Sequence, residues 1–518
     1  MTINKNILVT GSIITIFYGA ITWLTFGWPK SVCQILNSIT FGIFSESISE
    51  MHNGFYYENI NNDMPTVPYL ILFFIIFGFV LYSFKRVKSS STNKATLWLV
   101  LGFSVLFRLL TFWGEPIHEN DIYRYLWDGK SVAAGINPFK YAPSDVFMAD
   151  FDIDYDYYDI TSDVTLKAKD FDGEDDKRLA QLITLRDDNQ LIYSRIGHWQ
   201  VPTIYPPVTQ ILFALSSWIY PDSLNFMRFF FLLFDMGVLL LIVALLKHFN
   251  KDPCLAMLYG WLPLVVMQLS NSGHYDAIAI FFVLLSVYFY CRQWLYLSVS
   301  VLAIATLTKF FPVVLFPILF QRKWFRKGLV FSTVMVIFYL PFIIWDNTGV
   351  SGVFEGLHTY NRDWSYHSSV FDLVYYSLDG ISKNFVETLF PAKIIVGFMY
   401  LGFLSFLVFN RNREVIDIVK KAFLAIAGLF IINPVCDPWY YCWVVPFLCL
   451  FHYRSWIWLS SLLMLSYLNF HTDIPYVTTR FWNIKLIAWL TYVPFYAMLG
   501  YEMWRQYEIK RIKKLVQL

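Results

Sequence analysis

EPIHENDIYRYLWDGKSVAAGINPF, residues 115–139, sets Glu119, Asp121, Arg124 and Asp128 between a long apolar segment and a long polar loop. At about 100° per residue, a helix starting near Asn120 puts Asp121, Tyr125, Asp128 and Val132 in one stripe, with Ile122, Leu126, Gly129 and Ala133 beside it. One flank is acidic and the other apolar. Such a helix is expected to lie along a membrane surface with its carboxylates facing a polar cavity. Asn120 is the expected N-cap, and Gly135 with Pro138 the expected stop. This is the expected active-site element.

The surrounding chain explains why a membrane surface is the right setting. Of 518 residues, 57% are hydrophobic and 20% aromatic, and only 15% are charged, against about a quarter in a soluble protein. The charges are bunched between apolar runs instead of being spread over amphipathic faces, which marks an all-α polytopic membrane protein. A net charge of +2 gives no reason to expect a nucleic-acid partner. Cys33, Cys254, Cys291, Cys436, Cys442 and Cys449 mostly sit in or beside apolar segments without C-x-x-C spacing. They read as core thiols, neither a zinc site nor a disulfide framework.

Apolar runs are expected to span at 7–28, 67–84 and 95–113, the last delivering residue 115 to the extracytoplasmic face. The following loop, 114–227, carries the acidic runs ADFDIDYDYYDITSD (149–163) and DFDGEDDKR (170–178). They read as a solvated surface, since no stretch has the spacing of a calcium loop. The run 208–220 is short for a crossing, which takes about 20 residues, and reads as a re-entrant or interfacial helix. Residues 253–270 read as one outward crossing. The remaining runs bring the total to about 12–14 transmembrane helices. With that count the basic clusters 85–94, 247–251, 322–327, 411–421 and the C-terminal tail fall on one side, so both termini are expected in the cytoplasm. The expected organisation is an N-terminal transmembrane pair with the first outer loop (1–94), a catalytic membrane core (95–455), and C-terminal helices with a basic tail (456–518).

In this topology the unusual polar residues converge on the outer face. Asp121 and Glu119 begin the surface helix, Tyr205 lies in YPP, His274 and Asp276 in SGHYD, Lys309 in TLTKFFP, and Asp437 and Trp439 in CDPWYY. Each alone reads as a cap or an interfacial anchor; convergence of distant segments at one depth favours a site. Arg108 and Asp235 lie deeper and are candidates to pair with each other. A carboxylate can take the proton from an attacking hydroxyl, and a lysine or arginine can neutralise a departing phosphate. Together they suit glycosyl transfer from a lipid-linked sugar phosphate, because nucleotide sugars are not expected outside the cytoplasm. A single base predicts inversion, while a retaining pair of carboxylates stays open.

ENDIYRYLWDGKSVAAGINPF (119–139), PTIYPPVTQILFAL (202–215), SGHYDAIAIFFVLLSV (272–287), LTKFFPVVLFP (307–317) and NPVCDPWYYCWVVPFL (433–448) resemble bacterial polyprenyl-phosphate-mannose-dependent mannosyltransferases of the GT-C superfamily. The resemblance runs over roughly 95–455. It implies a GT-C fold whose large extracytoplasmic loop carries the catalytic aspartate, here matching Asp121 with Glu119 as the substitute. It also implies a lysine at the donor phosphate, matching Lys309; Arg124 is the candidate to aid it there. Tyr205, His274, Asp276, Asp437 and Trp439 fall on positions that line the family's cavity and are expected to bind substrate, and Asp128 of the surface helix is a further substrate-binding candidate. Two departures stand out: the loop follows the third helix instead of the first, and the acidic insert of about 145–188 has no counterpart. The implied setting is the bacterial inner membrane. The implied partners are the lipid bilayer, a polyprenyl-phosphate sugar donor, and a glycan, glycolipid or protein acceptor. No cofactor is expected. A divalent metal is not required, although Glu119 with Asp276 or Asp437 offers ligands for one. The competing reading is a polyprenyl-linked glycan flippase or secondary transporter, which predicts midplane charges on broken helices and internal repeats; no repeat is visible.

Overall fold

Uncharged runs of bilayer length have to satisfy their backbone internally, and the helix is the local way to do so. The computed structural model of the chain describes residues 4–39, 51, 65–89, 92–159, 164–169, 173–382, 385–410, 414–470 and 479–516. Six described helices are long and apolar enough to cross a membrane: Lys5–Thr25, Thr66–Ser89, Lys94–Phe112, Leu224–His248, Trp324–Asn347 and Leu389–Phe409. Four further apolar helices, Pro207–Ile219, Asp276–Cys291, Leu295–Thr308 and Pro438–Phe451, are shorter. The sheet among the described residues is a single two-stranded ladder. The architecture is all-α and polytopic. The chain folds as two units, residues 1–118, 235–272 and 365–518 in the first, and 119–234 and 273–364 in the second.

In the first unit the run 253–270, expected as one straight crossing, is broken. Pro253–Trp261 and Pro263–Asn271 meet at 61°. Leu262 is extended (φ −62°, ψ 121°) in front of Pro263, as the residue preceding a proline prefers. A break leaves carbonyls without intrahelical donors, and the unit supplies them from side chains. Arg108 Nη1 donates to Gly260 O at 2.7 Å, and Tyr18 OH donates to Trp261 O at 3.3 Å. The same guanidinium pairs through Nε with Asp235, which also accepts from Tyr259 OH at 2.6 Å. Arg108 and Asp235 are both fully buried, so the pairing expected of them is present.

In the second unit the surface helix is Asp121–Ala133, ending where Gly135 adopts φ +80°. Its apolar flank packs Ile122, Tyr125 and Leu126 with Phe213 and Phe231 into one cluster. Against it lies Pro207–Ile219, so close that a Cβ on Gly129 would stand 2.5 Å from Phe213 O. Asn120 occupies the N-cap position but its side chain makes no capping bond, contrary to the expectation. The acidic insert is likewise more than a solvated surface. It forms the hairpin Tyr157–Asp159 and Val164–Leu166, in which Asp159 and Leu166 are buried, and other carboxylates tie it down. Asp175 accepts from Lys140 Nζ at 2.5 Å and Tyr141 OH at 2.7 Å, Asp145 pairs with Lys169, and Arg178 pairs with Asp346. Residues 160–163 and 170–172 of the acidic runs lie outside the described residues.

Candidate active site

Eight of the ten sequence-derived candidates belong to the second unit: Glu119, Asp121, Arg124, Asp128, Tyr205, His274, Asp276 and Lys309. Asp437 and Trp439 belong to the first. The surface helix begins at Asp121, so its carboxylate stands at the positive end of the helix. Tyr125, one turn on, donates to Asp121 Oδ2 at 3.2 Å. His274 lies between the two acids, with Nδ1 3.8 Å from Asp121 Oδ2 and Nε2 3.8 Å from Glu119 Oε2. Tyr125 OH is 3.4 Å from the same Nδ1.

Burial pushes the His274 imidazole well below its ordinary pKa, and the neighbouring Lys309 charge pushes the same way. The ring is therefore neutral, and its contacts with Glu119 and Asp121 are those of a polar spacer, not ion pairs. The Asp121 carboxyl moves upward because burial dominates. His198, Lys309 and the Tyr125 hydrogen bond oppose the shift, and Asp276 adds to it. A carboxylate made more basic while 29% of its side chain still reaches solvent is suited to accept a proton.

Lys309 follows the helix Leu295–Thr308 in an extended conformation. Its Nζ donates to Asp276 Oδ1 at 2.6 Å and sits 4.8 Å from the centre of the Tyr275 ring. Asp276 is fully buried, whereas 14% of the Lys309 side chain is exposed. The rings of Tyr125, Tyr205 and Tyr275 meet edge to face at 5.2–5.3 Å between centroids. Burial, and then the Asp121 charge, keeps the Tyr125 and Tyr205 phenols protonated.

Asp128, expected to face a cavity with Asp121, is buried instead. Arg124 Nε donates to its Oδ1 at 2.8 Å and Gln210 Nε2 to its Oδ2 at 3.2 Å. Arg124 Nη1 also donates to Val201 O at 3.0 Å, and Gln210 Nε2 to Thr203 Oγ1 at 2.7 Å. These bonds fasten the segment 195–205 along the surface helix. Gln210 and His198 were missed by the sequence reading. The signal for Gln210 was one amide in the apolar run VTQILFAL; His198 offered none beyond its residue type. Among the described residues, no three His, Cys, Asp or Glu side chains are grouped to hold a metal ion.

Residues 186–323 match the family model described as alpha-(1->6)-mannopyranosyltransferase, N-terminal domain, a GT-C mannosyltransferase family. No curated protein and no solved structure matches the chain. The matched stretch contains Tyr205, His274, Asp276 and Lys309 and stops short of Glu119 and Asp121. It supports a membrane mannosyltransferase.

Proposed function

We propose that the protein transfers mannose from a polyprenyl-phosphate carrier to an acceptor hydroxyl with inversion, Asp121 acting as general base. The observation that carries this reading is the separation of two opposite chemistries around one set of tyrosine rings. Asp121, made more basic and open to solvent, contacts Tyr125; Lys309, cationic and braced by Asp276, contacts Tyr275. A similarity to mannosyltransferases over 186–323 favours mannose as the sugar.

In the proposed reaction, the acceptor oxygen attacks C1 of the sugar as its proton passes to Asp121. The C1–O bond to phosphate breaks, and Lys309 offsets the charge left on the polyprenyl phosphate. Asp276 orients the ammonium. Neutral His274 and the Tyr205 phenol bind sugar hydroxyls, a task for uncharged donors and acceptors. Glu119 is the alternative base. Arg124 and Asp128 hold the segment that borders the site. Lysine neutralisation makes a divalent metal unnecessary in this scheme. The donor is lipid-borne because the site faces the extracytoplasmic side of a bacterial inner membrane, with both chain termini in the cytoplasm.

Membranes carrying the wild-type chain or Asp121→Asn, supplied with radiolabelled polyprenyl-phosphate mannose and endogenous acceptors, test the proposal. Transfer by the wild type, lost in the variant at equal expression, supports both reaction and base. Transfer surviving in the variant overturns Asp121 as base. If neither transfers label while the labelled lipid changes leaflet, the protein is a flippase instead.

A further inference from the structure

Resting on Asp121 as base, we propose that Tyr125 is the positioning residue of the catalytic cluster: its one hydroxyl proton holds Asp121 Oδ2, leaving Oδ1 to receive the acceptor's proton, and its phenol oxygen fixes His274 as the tautomer protonated at Nδ1. The geometry begins in the surface helix. Asp121 and Tyr125 are four residues apart and so share one side of it, and Tyr125 OH donates to Asp121 Oδ2 at 3.2 Å. The same phenol oxygen stands 3.4 Å from His274 Nδ1.

A hydroxyl can position a carboxylate only if its own ring is fixed. The Tyr125 ring stacks on Phe213 at 4.9 Å between centroids and 20° between planes, and meets Tyr205, Tyr275 and Phe231 edge to face at 5.2, 5.2 and 6.0 Å. With four rings around a buried side chain, the hydroxyl is held in place. His274 is seated through its backbone. Gly273, just before it, holds φ +71°, and a Cβ there would be 2.8 Å from Ile122 Cδ1 and 2.7 Å from Arg228 Cγ. A glycine is what lets the loop come so near. Ile122 directly follows Asp121, so the close approach that seats the imidazole is made beside the base itself.

A phenol carries one proton and gives it to one partner. Here the choice lies between an anionic carboxylate and a neutral imidazole, and a hydrogen bond to the charged acceptor is the stronger. The proton therefore belongs to the bond with Asp121. A bare Nδ1 would then set its lone pair against those of the phenol oxygen, so Nδ1 carries the ring proton and donates to that oxygen. Asp121 Oδ2, 3.8 Å from the same nitrogen, favours the proton there too. A neutral imidazole has a single N–H. Nε2, on the Glu119 side at 3.8 Å, is then an acceptor, and a substrate hydroxyl that meets His274 there has to be the donor.

The groups that act on the Asp121 charge are His198, Lys309, Asp276 and the Tyr125 hydroxyl, while burial keeps His274 neutral between Asp121 and Glu119. The Tyr125 bond favours the ionised carboxylate and works against burial. When Asp121 takes up the acceptor's proton at Oδ1, Oδ2 stays on the phenol, so the carboxyl keeps its place through the transfer.

The test measures mannosyl transfer against pH for the full-length wild type, Tyr125→Phe and Asp121→Asn in membranes. Nitrogen NMR spectra of the full-length wild type with labelled histidine, the His274 signals being those lost in His274→Gln, give the tautomer without relying on activity. With Tyr125→Phe, kcat is expected to fall about tenfold with the donor KM unchanged. The acid limb moves to higher pH by about half a unit, because Asp121 loses a bond that favoured its ionised form. His274 of the wild type is expected to be protonated at Nδ1 and bare at Nε2. A rate loss with an unmoved acid limb would reduce Tyr125 to a packing residue and overturn the proposal, and so would a wild-type His274 protonated at Nε2. If Asp121→Asn is inactive while Tyr125→Phe matches the wild type in rate and limb, the positioning role alone falls. An active Asp121→Asn removes the base and the residue that positions it together.

Discussion

Two charged clusters in this chain are built to opposite plans. In the first unit, Arg108, Asp235 and Tyr259 close on one another at hydrogen-bond distance, and the guanidinium spends another nitrogen on the Ser104 and Gly260 carbonyls. In the second, Glu119, Asp121 and Tyr125 surround His274 at 3.4–3.8 Å, and 29% of the Asp121 side chain is exposed. Both clusters lie among apolar side chains, so burial does not separate them. Saturation does. Charges that have used up their bonds on each other hold backbone in place, whereas charges kept at longer range, with one open to solvent, have bonding capacity to offer a substrate.

The sharpest way to break this contrast is to neutralise one aspartate from each cluster. Asp121→Asn is expected to lower transfer by about 10²–10⁴-fold, the range for a lost general base, with the thermal unfolding midpoint unchanged. Asp235→Asn is expected to do the reverse, leaving Arg108 without its counter-charge and costing about 3–5 kcal/mol of stability. Thiol-dye labelling during heating reads that loss directly, because all six cysteines are buried thiols outside any disulfide. Transfer lost in Asp235→Asn at an unaltered midpoint would erase the distinction. Replacing both partners, Arg108→Met with Asp235→Leu, should recover most of the stability, since no charge is then stranded. A double variant no more stable than Asp235→Asn would mean that the carbonyls at the helix break depend on Arg108 itself.

Lys309 tests the catalytic cluster from its other side. Lys309→Gln is expected to reduce kcat/KM about 10²–10³-fold, as for removal of one donor from a charge-stabilising site. Because it strands Asp276, which is fully buried, Lys309→Gln with Asp276→Asn separates the two effects. The pair should restore the unfolding midpoint and leave transfer low.

What the sequence made legible follows the same division. The surface helix was readable because Asp121, Tyr125, Asp128 and the apolar flank repeat at helical spacing, and its end was readable because Gly135 needs a positive φ. Spacing says which side of the helix a residue is on, but not what packs there. Asp128 was therefore grouped with Asp121, although the close approach at Gly129 brings Gln210 over it. The break at Leu262 was foreshadowed by Pro263, yet hydropathy averages across a proline and reports one span. That Asn120 makes no capping bond was unreadable, because its backbone lies at φ −125°, ψ 1° and not in the extended conformation a cap uses. His198 was hidden because its neighbours, Arg124 Nη1 at its carbonyl and the edge of the Trp364 ring, come from segments far apart in the chain.

The smallest expected effect concerns Glu119, and it decides how the catalytic cluster is divided. Glu119 is 8% exposed and faces His274, which burial keeps neutral, while Asp121 is 29% exposed. A hydroxyl arriving from solvent meets Asp121 first. Glu119→Gln is therefore expected to lower transfer by less than about tenfold, below the range for a primary base. The pH profile separates the two acids further. The base works as a carboxylate, so activity is lost as pH falls through its pKa. Burial raises that pKa for Asp121, so the wild-type acid limb should lie above the ordinary aspartate value of about 3.9. Glu119→Gln should leave that limb where it is, because the group that titrates is untouched. A limb that moves with Glu119, together with a rate loss equal to that of Asp121→Asn, would transfer the role of base to Glu119 and leave Asp121 as the group that orients Tyr125.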